Sequence, residues 1–403
     1  MYIKSKNSKE LYFRNKVILV NMDNGNWIRS SVKYFELLDK IITSGNYSLL
    51  EFNNSDNQAL NNLKELFNQL LDIDYYVSLE HKYQKDSLHV TITFTHKCNL
   101  TCNHCVLSSS PDSPDVLSTD QIKTIIDRVL VASPTSLIIS GGEPFVRKDL
   151  FNIISYIRKY YDGNLVVMTN GLLINKKDIP FIKENIDALD ISLDGYDDAS
   201  VKKIRGNKVF SQVHKKIGWL KNENFKRISL SMVLTKDNYS HRKDFINLCE
   251  KLEVRPILRP FHPDGRAIEG VNDSDLIPTD ILFEEYSCHH CKPGDREFVI
   301  SYNGDIYPCN NLISDDLKIG NILNDEDILS KLKSKQGELD YIFNKIDSLR
   351  PLNDDNCRNC KVNLFCWECI SRFQAIKNNS TKLGEFCDYK KEKLYKEVWG
   401  EKI

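Results

Sequence analysis

The sequence has no stretch approaching the ~18 consecutive apolar residues of a membrane span, so no transmembrane helix is expected. Its opening, Met1-Tyr2-Ile3-Lys4-Ser5-Lys6-Asn7, lacks an apolar segment, so no signal peptide is expected and the cytoplasm is the expected compartment. Net charge is almost absent: 55 Lys and Arg stand against 56 Asp and Glu, which excludes a whole-chain polyanion binder. Glycine and proline are sparse, 17 and 12 in 403 residues, and no low-complexity tract occurs, which excludes wholesale disorder. No cysteine precedes Cys98.

From there on cysteine is plentiful and clustered. Cys98, Cys102 and Cys105 fall together, Cys249 stands alone, and eight more lie between Cys288 and Cys387. A secreted disulfide scaffold is small and cysteine-dense throughout. A long chain with clustered thiols and no signal reads first as a metal binder. Cys249 sits in a helical run with Phe245, Ile246 and Leu248 and reads as a buried small hydrophobe.

At ~100–200 residues per domain the length predicts two to four domains. Residues 1–86 form the first. Val17-Ile18-Leu19-Val20, Asn24-Gly25 and Trp27-Ile28 predict a hairpin with a two-residue turn. Helical spacing follows at Tyr34, Leu37, Leu38, Ile41 and Ile42, and again at Leu60, Leu63, Phe67, Leu70 and Leu71. This describes a winged-helix-like α+β module. Its 11 basic and 11 acidic residues cancel, which argues against nucleic acid as a partner, since that binding draws on phosphate neutralisation. An exposed strand edge suits an extended peptide better.

Residues 87–275 alternate strand and helix, with strands expected near 88–94, 136–139, 165–168, 188–192, 228–234 and 257–258. Ser118 and Gln121 form a capping-box signature for the first helix. Six β-α units imply a parallel sheet, open and doubly wound or closed as a barrel, with ligands at the carboxyl ends of the strands. The chemistry-bearing motifs all fall at that end. They are Cys98-x3-Cys102-x2-Cys105, Gly141-Gly142-Glu143-Pro144, Asn170-Gly171 and Asp194-Gly195. Three such thiols suit zinc completed by His96 or His104, or a [4Fe–4S] cluster with one iron left open.

The order of C-x3-C-x2-C and GGEP after successive strands resembles the radical S-adenosylmethionine (SAM) superfamily. The resemblance implies a partial (β/α)6 barrel and a cluster whose open iron chelates SAM. It implies SAM contacts from Gly141, Gly142, Glu143, Pro144 and Asn170, a ribose site near Ser192 and Asp194, and Arg205 at the SAM carboxylate. The family usually has an aromatic residue where this chain has His104.

Residues 276–403 form the cysteine-rich third domain. Phe298 to Tyr302, Asn303-Gly304 and Asp305 to Pro308 predict another hairpin with a two-residue turn, delivering Cys309. Paired C-x2-C spacing by itself suits two structural zincs. The order Cys288, Cys291, Gly304, Cys309, then Cys357-x2-Cys360-x5-Cys366-x2-Cys369 and Cys387 is similar to the SPASM extension of radical SAM maturases. The usual run ends C-x3-C where this one ends C-x2-C. The resemblance implies two auxiliary [4Fe–4S] clusters, three in all. Cys288, Cys291, Cys309 and Cys369 would hold one, and Cys357, Cys360, Cys366 and Cys387 the other. Arg259 to Ala267 resembles the end of the sixth strand in SPASM proteins, beside adenine or substrate. The tail from Asp388 is a charged helix expected to pack through Leu394, Val398 and Trp399.

The family implies an oxidoreductase that uses a 5′-deoxyadenosyl radical to take hydrogen from a ribosomally made precursor peptide. The expected product is an oxidative cross-link, a thioether or a carbon–carbon bond. The N-terminal module resembles the peptide-recognition element similar to the chaperone of pyrroloquinoline quinone synthesis, and would bind the leader. Removing residues 1–86 is then expected to weaken precursor binding and spare SAM cleavage. A flavodoxin or ferredoxin would supply the low-potential electron; neither nucleic acid nor membrane is an expected partner. Two other readings stand beside this one: a maturase forming formylglycine in a protein, and a zinc-bound winged-helix scaffold without activity.

Overall fold

The structure is a computed structural model that describes residues 2–47, 50, 57–80, 87–235, 237–269, 293–334, 339–366, 369–377 and 380–401. The described residues fall into two compact units, one of 2–80 with 348–401, the other of 87–269 with 293–347.

In the first unit, β1 (Tyr2–Lys4) pairs antiparallel with β5 (Tyr76–Ser78). Strands β2 (Ser8–Phe13), β3 (Lys16–Asn21) and β4 (Trp27–Ser31) form an antiparallel meander with β3 in the middle. Helices α1 (Val32–Thr43) and α2 (Gln58–Asp72) follow, capped by the side chains of Ser31 and Asn57. Side chains alternate faces along a strand. Val17 and Leu19 accordingly pack on one side with Phe35, Leu38, Leu66 and Leu70. Ile18 and Val20 pack on the other side with Val362, Leu364, Phe365, Leu394, Val398 and Trp399. Both faces of β3 are covered, which is why its core reads as an unbroken apolar run. At ~1.5–3 kcal/mol per fully buried Val, Leu, Ile or Phe side chain, the second face contributes substantially to holding the C-terminal segment.

The hairpin turns are longer than the sequence suggests. Val20 pairs with Trp27, and Asn21 N–H donates to Asn26 O, so four residues cross between β3 and β4. The Asn21 and Asn24 side chains accept from the N–H groups of Asp23 and Asn26, and these Asx turns widen the loop. The strand β2, which continues the hairpin into a three-stranded sheet, was not expected from the sequence.

In the second unit the strands are β6 (His89–Thr93), β7 (Ser136–Ser140), β8 (Asn164–Thr169), β9 (Ala188–Ser192), β10 (Ile228–Leu234) and β11 (Arg255–Pro260). They pair in parallel in sequence order. Right-handed crossovers between strands laid down in order place every helix on one face. That selects the curled barrel over the doubly wound sheet. The crossover helices are α3 (Thr119–Val131), α4 (Leu150–Tyr160), α5 (Ile179–Asn185), α6 (Asp198–Arg205), α7 (Val209–Asn222) and α8 (Arg242–Lys251). Leu137, Ile139, Leu165, Val167, Leu189, Ile191 and Leu230 lie fully buried beneath them. The barrel stays open: β11 is one edge of the sheet, and β12 (Glu297–Ile300) pairs with β6 at the other side, followed by β13 (Asp305–Tyr307) and β14 (Gly320–Asn321).

The capping box of Ser118 and Gln121 forms as expected. The second hairpin has a three-residue loop rather than a two-residue turn. Ser301 N–H donates to Asp305 O across it, and Gly304 takes φ +86°, the left-handed position that ends such a loop. Cys249 is fully buried on α8, and burial pushes its thiol up to about 12, so it packs as a small hydrophobe.

Candidate active site and metal centres

The loop after β6 carries Cys98, Cys102 and Cys105, and the loop after β7 lies directly against it. Gly142 N–H donates to Thr95 O and Glu143 N–H to Lys97 O. A Cβ on Gly141 would sit 2.6 Å from Thr95 O, and one on Gly142 2.2 Å from Lys97 O. The two glycines are therefore required where these backbones touch. They set the base of the cysteine loop.

Glu143 is fully buried. It accepts hydrogen bonds from Phe145 N–H, the Thr169 hydroxyl and Asn170 N–H, and so ties the GGEP loop to the end of β8. Burial pushes its carboxyl above the usual range, against the pull of those donors. Asn170, held in this way, donates to Asn99 at 2.7 Å and points its amide at Cys98 Sγ, 3.9 Å away.

The other thiols have donors of the same kind. Leu100 N–H reaches Cys98 Sγ at 3.4 Å, Ser109 N–H reaches Cys105 Sγ at 3.4 Å, and Arg205 Nη1 stands 3.9 Å from Cys102 Sγ. Such N–H groups suit metal-bound thiolates, whose charge they stabilise. Without a metal, burial pushes the Cys98 thiol up to about 11 and raises Cys102 as well. Burial thus disfavours the thiolates of Cys98 and Cys102, whereas a bound iron cluster supplies the positive charge that favours them. The donor set fits a cluster.

Asp194 ends the next motif. It takes φ +62° and is buried, 1% exposed. Its Oδ1 accepts from Val233 N–H; its Oδ2 accepts from Arg205 Nε and lies 3.0 Å from His104 Nε2. Burial would raise this carboxyl, but Arg205 and His104 outweigh it and hold it well below the usual range. Asp194 thus anchors Arg205 and the cysteine loop. The structure also brings His104, Asp194, Val233 and Phe261 to the wall of one open groove of about 660 Å³ at the carboxyl ends of the strands. Pro144 is buried beside Glu143, and Ser192 sits partly buried at the end of β9.

Two contacts at this site had no clear sequence signal. Arg266 donates to Cys102 O and Ser109 O, both at 2.7 Å, while Gly265 runs so close that a Cβ would lie 2.3 Å from Val106 O. Arg147 is buried, donates to Phe94 O, Leu117 O and Asp115, and forks onto Asp149. Both arginines staple the cysteine loop or its supporting strand. An isolated Arg in a loop gives no sign of such a partner.

In the other unit, Cys357, Cys360, Cys366 and Cys387 line one small cavity of about 30 Å³. Lys390, 1% exposed, and Lys391 line it too. Burial pushes the Cys357 and Cys366 thiols up to about 12, and Lys390 pulls Cys366 back toward ionisation. A buried ammonium beside four thiols suits a centre that carries negative charge. The fourth of these cysteines comes from a separate helix, Ser380–Leu394. Cys309 follows β13, and Cys369 precedes the helix Ile370–Lys377. Cys288 and Cys291 lie outside the described residues.

Residues 92–249 match the radical SAM superfamily, and residues 291–361 match the SPASM iron–sulfur cluster-binding domain. The probable GTP 3′,8-cyclase of Sulfolobus acidocaldarius is 28% identical over 59% of this chain and 74% of its own. The subtilosin biosynthesis protein AlbA of Bacillus subtilis is 29% identical over 59% of this chain and 58% of its own. Among solved structures, SuiB of Streptococcus suis bound to its precursor peptide SuiA superposes with a TM-score of 0.55 at 18% identity, covering 94% of this chain and 97% of that one. That likeness is one of fold. The chain is a radical SAM enzyme with an SPASM iron–sulfur domain, and its cofactors are SAM and [4Fe–4S] clusters. Among the described residues no helix is long and apolar enough to cross a membrane.

Proposed function

We propose that this enzyme matures a ribosomally made precursor peptide by installing an oxidative cross-link, binding the leader on the N-terminal sheet. The observation that carries this reading is the build of the first unit. A three-stranded sheet, with β2 and β4 each paired on one side only among the described residues, packs its rear face on the segment that carries the four-cysteine cavity. An extended leader adds a strand to such an edge and raises the local concentration of the core peptide. The AlbA relative and the SuiB–SuiA complex support a peptide substrate.

When bound, the SAM cluster supplies the radical chemistry that removes hydrogen from the peptide. Cys98, Cys102 and Cys105 would hold it. Gly141 and Gly142 keep the loops close, Glu143 orients Asn170, and Asp194 aims Arg205 at Cys102. Arg205 keeps donors beyond its bond to Asp194, and these suit the SAM carboxylate. His104, Asp194 and Phe261 wall the groove at the carboxyl ends of the strands, and Ser192 at the end of β9 would meet the ribose. Cys357, Cys360, Cys366 and Cys387 would hold an auxiliary cluster beside Lys390.

The test takes as candidate substrates synthetic copies of whatever short reading frames lie beside the gene, with SAM, dithionite and protein prepared without oxygen. Loss of two hydrogens from the peptide, with 5′-deoxyadenosine formed, supports the reading. Slowed amide exchange in Ser8–Phe13 or Trp27–Ser31 on adding the leader alone supports the sheet as its site. An unmodified peptide, or no protection in either strand, counts against the corresponding half.

A further inference from the structure

On the concave face of the barrel, opposite the helices, one ion pair differs from every other described above. Asp190 lies in the middle of β9, two residues before Ser192 and on the same face. Arg259 lies on β11, opposite Val233. The Arg259 Nη2 donates to Asp190 Oδ2 across the intervening strand. The Asp190 side chain is only 8% exposed, while that of Arg259 is 40% exposed. Asp190 Oδ1 is buried and has no hydrogen-bond partner among the described residues. The remaining N–H groups of Arg259 have no partner among the described residues.

A structural ion pair in this protein looks otherwise. Arg147 is 5% exposed and shares its donors among two carboxylates and two carbonyls. Asp194 has both oxygens engaged. Arg259 instead has one corner of its fork gripped from below by a buried carboxylate, and the other donors stand in the open barrel. A guanidinium fixed in this way is pre-organised for a planar oxygen acceptor.

Resting on the maturase reading, we infer that Arg259 binds a carbonyl-type oxygen of the core peptide inside the barrel, and that Asp190 is the positioning residue that aims it. The acceptor is a side-chain carboxylate or a backbone carbonyl of the peptide. Ser192 and Ser231 pair on the same face, and Val233, which pairs with Arg259, lines the groove beside Asp194, so this contact lies near the site proposed for SAM, where the carbon that loses hydrogen must lie.

The experiment compares the holoenzyme with Arg259→Lys, Asp190→Asn and the double variant, using the synthetic leader-plus-core peptide as probe. Arg259→Lys keeps the charge and removes the fork. It is expected to raise the peptide KM about tenfold or more, as losing a charged hydrogen bond does, with smaller loss in kcat. SAM affinity without peptide, and iron content, stay unchanged. Asp190→Asn shifts KM in the same direction, and the double variant is little worse than Arg259→Lys, since both act through one contact. A peptide with its core carboxylates amidated separates the sources. A KM effect that disappears assigns a side-chain carboxylate, and one that persists assigns a backbone carbonyl. An unchanged KM in Arg259→Lys overturns the inference, as does weakened SAM binding without peptide, which would assign the guanidinium to the cofactor. Additive effects of the two changes remove Asp190 from its role. Should Asp190→Asn fail to fold, Arg259→Lys on its exposed side chain decides the matter. Wild-type enzyme that neither binds nor modifies the peptide overturns the maturase reading and this inference together. Wild-type turnover with an unaffected Arg259→Lys overturns this inference only.

Discussion

Single backbone atoms decide whether the cysteine loop can form. Gly142 faces Lys97 O at a distance where no Cβ fits, and the obstacle is backbone rather than a side chain that can turn aside. Gly142→Ala is expected to cost about 1–3 kcal/mol or more, as overpacking does, and to lower iron retention. Thermal unfolding and iron analysis of the purified variant check it; full iron and an unchanged midpoint would contradict it. Asp149 offers a test in pH. Burial raises its carboxyl, but the Arg147 fork and the Thr119 hydroxyl outweigh that and hold it below its ordinary 3.8. A depressed carboxyl adds stability above its unfolded value and loses it as pH falls through the folded one. Wild-type stability to urea should therefore fall from pH 5 toward pH 3 more steeply than that of Asp149→Asn. Equal slopes would show that the pair contributes nothing there. GGEP was legible as a motif because the family carries it. Its physical cause, the approach of two loops, is visible only in the folded chain. The same holds for Arg266, whose partners lie more than 150 positions away.

At the scale of elements, the tail is structural. After the helix Ser380–Leu394 the chain turns through Tyr395–Trp399. Trp399 is fully buried, donates its indole N–H to Lys361 O at 2.7 Å, and packs beside Phe13. Lys16 and Arg29 reach from β3 and β4 to the carbonyls of Trp399 and Val398. Trp399→Ala should cost about 3–5 kcal/mol in the first unit. Calorimetry should show that unit unfolding earlier while the barrel transition holds; a single unmoved transition would contradict this. The sequence spacing of Leu394, Val398 and Trp399 marked an apolar side, and left open what it packs on. Strand β2 has little sequence signal because Ser8–Phe13 mixes polar and apolar residues, as an edge strand half open to water does.

At the scale of the whole molecule, the first unit joins both ends of the chain. The rear face of the N-terminal sheet covers Val362, Leu364 and Phe365, beside Cys360 and Cys366. Removing residues 1–86 would strip that cover. The truncated protein should lose the iron held by the four-cysteine cavity together with leader binding, while the cysteine loop of the barrel keeps its own. Full iron in the truncated chain would show that the cavity forms without the sheet. For the intact protein, about twelve irons per chain are expected of three four-iron clusters. About four irons with two zincs would instead keep the SAM chemistry and replace the auxiliary clusters.

The sequence by itself determined the parallel β/α order, the placing of every motif at the carboxyl ends of the strands, and the cysteine spacings. These are local: hydrophobic period, turn chemistry and short-range thiol spacing are written into a few consecutive residues. Tertiary structure alone decided that the helices share one face, that both chain ends build one unit, and that Asp194 serves as an anchor. It also decided that Arg259 stands held but open in the barrel. Those features depend on pairs far apart in the chain, where geometry rather than spacing selects the partner.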